Sequence, residues 1–333
     1  MTKIVQSLLI VAVAATSVMA GKISGAGASF PAPLYYDWAY QYQKETKNRV
    51  NYQSIGSGGG IKQISKRVVN FGASDKPLKT AKLQRKKLLQ FPAVIGSIVV
   101  TLNVPGVADE QLRLKNEVVA DIFAGRITKW NDPSITSTNT GLTLPDEKII
   151  VCHRSDGSGT TYNFTYYLGE ASEYWRNNYG AGKAIDWATG IGGKGNEGVA
   201  SLVKQTPYSI GYIENAYKVR NRLAAATLQT ASGKWVSARE ENFKAAAKYA
   251  SWTKEDNFYA LLTLQPGDIS YPIVAATFIL LPTEKTDKNR DVIAFYEYAL
   301  SKGDAAAKKL GYIPLPQETK TLIRSYWTDK GIN

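Results

Sequence analysis

The chain has one cysteine and one histidine in 333 residues. Cys152 has no partner for an intramolecular disulfide, and with His153 as the sole imidazole a thiolate- or imidazole-rich zinc site is excluded. No acid spacing of the EF-hand kind is present for an oxygen-ligated cation. A phosphate-cradling G-x-x-x-x-G-K-[ST] motif is missing, and the nucleophile-elbow pattern G-x-S-x-G fails at both Ser57 and Ser158. Repeats, low-complexity tracts and Pro/Ser-rich linkers are lacking too. Beyond the first twenty residues no apolar run is long enough to span a bilayer, which takes about 20 residues.

Those first twenty residues, MTKIVQSLLIVAVAATSVMA, read as an export leader. Lys3 is the basic start, Leu8 to Ala15 the apolar centre, and Val18-Met19-Ala20 supplies small residues for cleavage after Ala20. No cysteine follows that point, so the usual bacterial lipoprotein anchor is not expected. Residues 1–20 are therefore expected to be a signal peptide, and the mature protein periplasmic.

The composition is that of a globular chain, 44% hydrophobic and 21% charged, with a formal charge of +13. Loss of Lys3 with the leader leaves +12. Such a surface attracts anions, either as a solvated exterior or by steering a substrate. Nucleic acid is not an expected partner, because the chain carries an export signal and no basic run interleaved with aromatics.

Strand-like and helix-like patterns alternate along the chain, which predicts an α/β fold. A helix is expected from Pro33 to Asn48 with Leu34, Trp38 and Tyr42 on one stripe, then a strand through NRVNYQSI. Ile61, Ile64 and Val68 recur at helical spacing. Long buried strands are expected over 93–104 and 277–282, shorter ones over 71–74, 148–154 and 209–214. Helices are expected over 118–125, 160–168 and 197–204, and the last fifty residues are helical in pattern. The twenty tyrosines fit helix surfaces and interdomain packing better than a sugar-stacking platform.

Three turns of glycines and hydroxyls stand before helices: GAGASFPAP (25–33), SIGSGGG (54–60) and DGSGT (156–160). The first N–H groups of a helix lack internal partners and carry positive partial charge. Glycine lets backbone approach a ligand closely, and serine or threonine adds donors. One such turn is an ordinary N-cap; three that converge with Arg154 would form an anion site built from neutral donors. Residues 190–195 formally fit G-x-G-x-x-G, but they follow no apolar strand and are not taken as a dinucleotide motif.

In order along the chain, GAGASFPAPLYYDWAYQYQKETKNRVNYQSIGSGGG, FGASDKPL, RSDGSGT, GIGGKGNEGVA, SIGYIENAY and ATFILLP resemble the PstS family, the periplasmic phosphate-binding proteins of phosphate-specific ABC transporters. The resemblance implies a two-lobed periplasmic binding protein fold of type II, each lobe a mixed sheet flanked by helices, with the ligand in the interlobe cleft. Lobe I would comprise 21–103 plus 277–333, and lobe II 104–276. It further implies phosphate contacts from Ser29 and Phe30 (backbone), Ser57, Asp75, Arg154, Ser158, Gly159 and Thr160, with Asp156 supporting Arg154. The implied protein is a monomer that delivers inorganic phosphate to a membrane permease, needs no cofactor and no metal, and is not an enzyme. A secreted phosphatase on the same fold, or an added role as adhesin or phosphate sensor, are the alternatives. Cys152, His153 and Lys76 depart from what the resemblance leads one to expect.

Overall fold

The computed structural model describes residues 22–284 and 286–332. The expected leader and its cleavage point after Ala20 lie outside the described residues. Eleven strands and thirteen helices are present among the described residues. The strands are β1 (Lys22–Gly27), β2 (Arg49–Ser54), β3 (Phe71–Ser74), β4 (Leu88–Asn103), β5 (Ile150–Arg154), β6 (Ile191–Gly193), β7 (Ser209–Glu214), β8 (Ala224–Ala225), β9 (Leu228–Gln229), β10 (Trp235–Val236) and β11 (Val274–Pro282). The helices are α1 (Ala32–Thr46), α2 (Gly56–Ser65), α3 (Thr80–Lys86), α4 (Asn116–Phe123), α5 (Pro133–Thr136), α6 (Gly159–Ala171), α7 (Glu173–Asn178), α8 (Gly195–Gln205), α9 (Asn215–Asn221), α10 (Glu240–Ala247), α11 (Asp287–Lys302), α12 (Asp304–Lys309) and α13 (Gln317–Lys330).

Strand β4 organises the molecule. Its first part pairs antiparallel with β11 up to Ser97, and from Ile98 onward it pairs antiparallel with β7. One half-sheet is thus β2-β1-β3-β11-β4 and the other β4-β7-β5-β6, with β8 beside β4. Within each half the strands that feed helices run parallel: β1 with β2 and β3, β5 with β6 and β7. This gives the molecule two lobes that share one long strand.

The strand expected over 93–104 begins five residues earlier, at Leu88. Proline normally ends a central strand because it has no N–H to donate. Here Pro92 sits at a bulge, where Thr277 pairs with Val94 and Phe278 with Pro92, so the ladder tolerates it. Helix α1 buries the expected stripe of Leu34, Trp38 and Tyr42. Val68, by contrast, lies past the end of α2 and is 64% exposed, because the chain turns at Arg67 with φ 58°.

Many of the tyrosines are core residues. In the first lobe Tyr35 stands edge-on to Tyr52 and Tyr296, and Tyr52 stacks on Phe71. Trp327 of α13 meets Phe91 edge-on, and Trp38 Nε1 donates to the Gly303 carbonyl, so the C-terminal helices cover the first half-sheet. In the second lobe Phe164 stacks on Tyr212 with centroids 4.2 Å apart, and Phe123 meets Phe164 edge-on. Large aromatic faces in these geometries pin helices to sheet. No helix among the described residues is long and apolar enough to cross a membrane.

Candidate functional site

In parallel α/β sheets, ligands bind beyond the carboxyl ends of the strands. Those ends converge here. The chain leaves β1 at Gly27 and reaches Ser29 and Phe30 before α1; it leaves β2 at Ser54 for the start of α2 at Gly56 and Ser57; Asp75 directly follows β3. From the other lobe, β5 ends at Arg154 and runs through Asp156 to Ser158 and α6, while β6 runs through Lys194 into α8.

Every residue expected at the site is at or beside this convergence. Ser29, Phe30, Ser57, Asp75, Arg154, Ser158 and Thr160 are each 4% exposed or less. Arg154 Nε donates to Asp156 Oδ1 at 2.7 Å and its terminal nitrogen to Asp156 Oδ2 at 2.6 Å, a bidentate pair. Its other terminal nitrogen points to Thr160 Oγ1 at 3.4 Å. Asp156 also accepts from the Gly195 amide. Burial alone would raise its pKa, but the Arg154 bonds and charge hold it below the usual carboxylate range.

Ser57 links the lobes. Its Oγ accepts from the Asp75 amide at 3.2 Å and from the Gly159 amide at 3.0 Å, and faces Asp75 Oδ2 at 3.5 Å. The Gly58 amide donates to the Gly157 carbonyl at 2.6 Å, and Asn163 Nδ2 to the Asp75 carbonyl at 2.8 Å. These bonds join strand ends of opposite half-sheets, so the two lobes are closed on one another. Two glycines are required by this closeness. A Cβ on Gly159 would stand 2.6 Å from Ser57 Oγ and 2.7 Å from Asp75; one on Gly56, which has φ +79°, would stand 2.1 Å from Asp156 Oδ2.

Asp75 is the electrostatic anomaly. Burial pushes its carboxyl up to about 7, against the opposing pull of Thr277, Arg154 and Ser57. Asp75 Oδ1 makes no hydrogen bond of good geometry among the described residues, and Thr277 is the side chain nearest to serving it.

Ser158 has part of its capacity spent: Oγ caps α6 by accepting from the Thr161 amide, and its own amide donates to the Lys183 carbonyl. Phe30 presents its carbonyl to the Tyr312 hydroxyl at 2.6 Å.

Sequence reasoning missed Asn196. Its amide and side-chain nitrogen both donate to Ser29 Oγ, at 3.0 and 2.9 Å, its Nδ2 also reaches Thr160 Oγ1 at 3.3 Å, and its Oδ1 accepts from the Glu214 amide. Tyr217 similarly donates to the Ser29 carbonyl at 2.7 Å. The signal was in the glycine-rich turn before α8, which has glycines like the other three but an asparagine in place of their hydroxyls. The two unexplained residues of β5 have structural places. Cys152 is buried and its thiol is pushed up to about 11 by that burial. His153 stacks on Trp187, 4.9 Å between centroids, and burial lowers its pKa.

Comparison with known proteins agrees in kind. A family profile described as a PBP superfamily domain matches residues 12–302. The "Phosphate-binding protein PstS" of Haemophilus influenzae is 50% identical over 310 residues, covering 92% of this chain and 93% of that one. Its counterpart in Pasteurella multocida is 50% identical over 315 residues, covering 94% and 92%. Among solved structures, a high affinity periplasmic phosphate-binding protein bound with phosphate superposes with a TM-score of 0.71 at 20% identity, covering 91% of this chain and 93% of that one. A putative phosphate ABC transporter substrate-binding protein from Clostridium perfringens gives 0.65 at 20%, covering 89% and 100%. At that identity the structures share the fold, whereas the curated relatives share the sequence throughout. The chain belongs to the PstS family of phosphate-binding proteins, within the PBP superfamily.

Proposed function

We propose that this protein binds inorganic phosphate between its two lobes and delivers it to the permease of an ABC transporter. It is a transport binding protein and not an enzyme, as its relatives named for phosphate binding are. Phosphate is its ligand, and it needs no cofactor.

The assignment of residues is carried by one observation: a buried carboxyl with a free oxygen stands in the same closed cleft as a buried guanidinium. Arg154 supplies the positive charge, fixed in orientation by Asp156. The amides of Ser29, Phe30 and Thr160 and the hydroxyls of Ser57, Ser158 and Thr160 supply neutral donors at helix N-termini, joined by the Gly159 amide when phosphate takes the place of Ser57 Oγ as its acceptor. Asp75 repels any anion without a proton. Near neutral pH phosphate carries at least one P–O–H, which donates to the carboxylate or shares one proton with it. Sulfate has none. A site built around one hydrogen bond discriminates by roughly 10⁴–10⁵-fold, so Asp75 sets selectivity and Arg154 affinity.

Contacts come from both lobes, so phosphate favours the closed arrangement, and that arrangement is the one the permease receives. The lobe division belongs to this proposal: the exchange of β4 partners at Ser97 and Ile98 favours a first crossing inside β4, earlier than the 103/104 expected from the resemblance, and the second is kept at 276/277. A monomeric, periplasmic mature chain beginning after Ala20 completes the reading. Calorimetry of the mature protein with phosphate and with sulfate at pH 9, where the Asp75 carboxyl is ionised and phosphate still carries one P–O–H, tests it: tight phosphate binding and far weaker sulfate binding are expected, and equal affinities would remove Asp75 from its role.

A further inference from the structure

A second cationic feature stands one residue outside the buried site. Lys76 directly follows Asp75, and its ammonium lies 3.8 Å from the centroid of the Tyr162 ring on α6. From the opposite lobe, the Lys183 carbonyl accepts the Ser158 amide at 2.8 Å, which ties that residue to the turn before α6. Lys82 and Lys86 lie on α3, and Lys79 immediately precedes it. The charges of Lys82, Lys76 and Lys86 all act on Lys183, and those of Lys82 and Lys79 on Lys76.

Lys76, Lys82, Lys86 and Lys183 are half-buried, while Asp75 and Ser158 behind them are 1% and 0% exposed. The cluster therefore lines the solvent side of the cleft. None of these lysines pairs with a carboxylate among the described residues, where ion pairs are otherwise common. The group against Lys76 is the neutral ring of Tyr162, which neighbours Tyr166 and Tyr259; the nearest carboxylate on that side, Glu170, faces Tyr166. Burial first, and the neighbouring lysines second, bring Lys183 down to about 8 and lower Lys76. Closing the lobes thus gathers like charges from two sides with nothing to neutralise them. Beyond the stacking of Lys76 on Tyr162, such an arrangement is complementary to a multivalent anion.

We propose that Lys76, Lys82 and Lys183 form an outer oxyanion station at the cleft mouth, which captures phosphate and sulfate alike before Asp75 sorts them. The inference rests on the phosphate-binding reading above and adds a step to it. No carboxylate stands among the three lysines, so the station has no means of requiring a P–O–H. Its contribution is to the rate of capture, whereas the inner site sets the selectivity.

The test is the association rate of phosphate, followed by stopped flow on the full mature protein. The Lys76→Gln/Lys82→Gln/Lys183→Gln variant should associate about tenfold more slowly at low salt, the lower end of steering effects in charged clefts. Near 1 M salt, where the Debye length is about 3 Å, the two proteins should associate alike, which also shows that the variant is folded. A control that removes equal charge elsewhere, Lys66→Gln/Lys204→Gln/Lys248→Gln, should keep the wild-type rate. Exchanging chloride for sulfate at constant ionic strength should slow phosphate capture in the wild type and leave the cleft variant unaffected. Equal slowing in the control, or no sulfate effect in the wild type, overturns the station in favour of a diffuse field. Failure of the wild type to bind phosphate at all would instead overturn the proposed function.

Discussion

The amide of Gly159 donates to Ser57 Oγ at 3.0 Å, across 102 residues of sequence and from one lobe to the other. Ser57 in turn accepts from the amide of Asp75. One hydroxyl oxygen thereby sets the distance between the helix N-terminus of one lobe and the buried Asp75 carboxyl of the other, proposed above to sort the ligand.

Replacing Gly159 by alanine should separate these elements. The added methyl would meet Ser57 Oγ and Asp75 well inside contact distance. The phosphate dissociation constant should rise by about 10–100-fold, the cost of one or two lost hydrogen bonds, with the thermal midpoint little changed. Calorimetry beside a melting curve checks both halves.

Discrimination should depend on pH with a definite sign. The Asp75 carboxyl is raised to about 7, so below that value it carries a proton and can donate to sulfate. Above it, sulfate binding requires uptake of a proton, and the sulfate affinity should fall by about tenfold per pH unit. Titration of sulfate between pH 5 and pH 9 reads this slope, and Asp75→Asn should flatten it.

Stability of the ligand-free protein follows from the same group. Its carboxyl is raised from the ordinary 3.8, so the folded state binds more protons than the unfolded state between the two values. Stability therefore falls as pH rises through that window, by up to on the order of 4 kcal/mol, and the loss is complete above about 7. Asp75→Asn should raise the melting temperature at pH 8 and change it little at pH 4; an equal gain at both would contradict the burial argument.

Asn196 positions two site hydroxyls at once, on Ser29 and Thr160. Asn196→Ala leaves both without that donor and should weaken phosphate binding by about 10-fold or more. The selectivity over sulfate should persist, because Asp75 is untouched. Parallel phosphate and sulfate isotherms separate these effects.

His153→Ala removes the stack on Trp187. It should cost about 1 kcal/mol of stability and leave phosphate affinity unchanged, as measured by denaturant unfolding and calorimetry.

Much of this was legible in the residues. The alternation of apolar patterns announced an α/β chain, and SIGYIE matched β7 residue for residue. Glycine-hydroxyl turns marked helix N-termini because local backbone freedom and capping are local properties. Pro92 hid the first third of β4, since its tolerance depends on a bulge opposite Thr277 and Phe278 that no single strand reveals. Asn196 was hidden for the same kind of reason: its partners, Ser29 and Thr160, are 167 and 36 residues away. The sequence by itself determined the chemistry available, an arginine with its acid, a second acid and several neutral donors. Only the tertiary structure decided that they meet in one place. The same closure desolvated Asp75 and brought Lys76 and Lys183 to one rim, because burial and charge proximity exist only once the lobes share a surface.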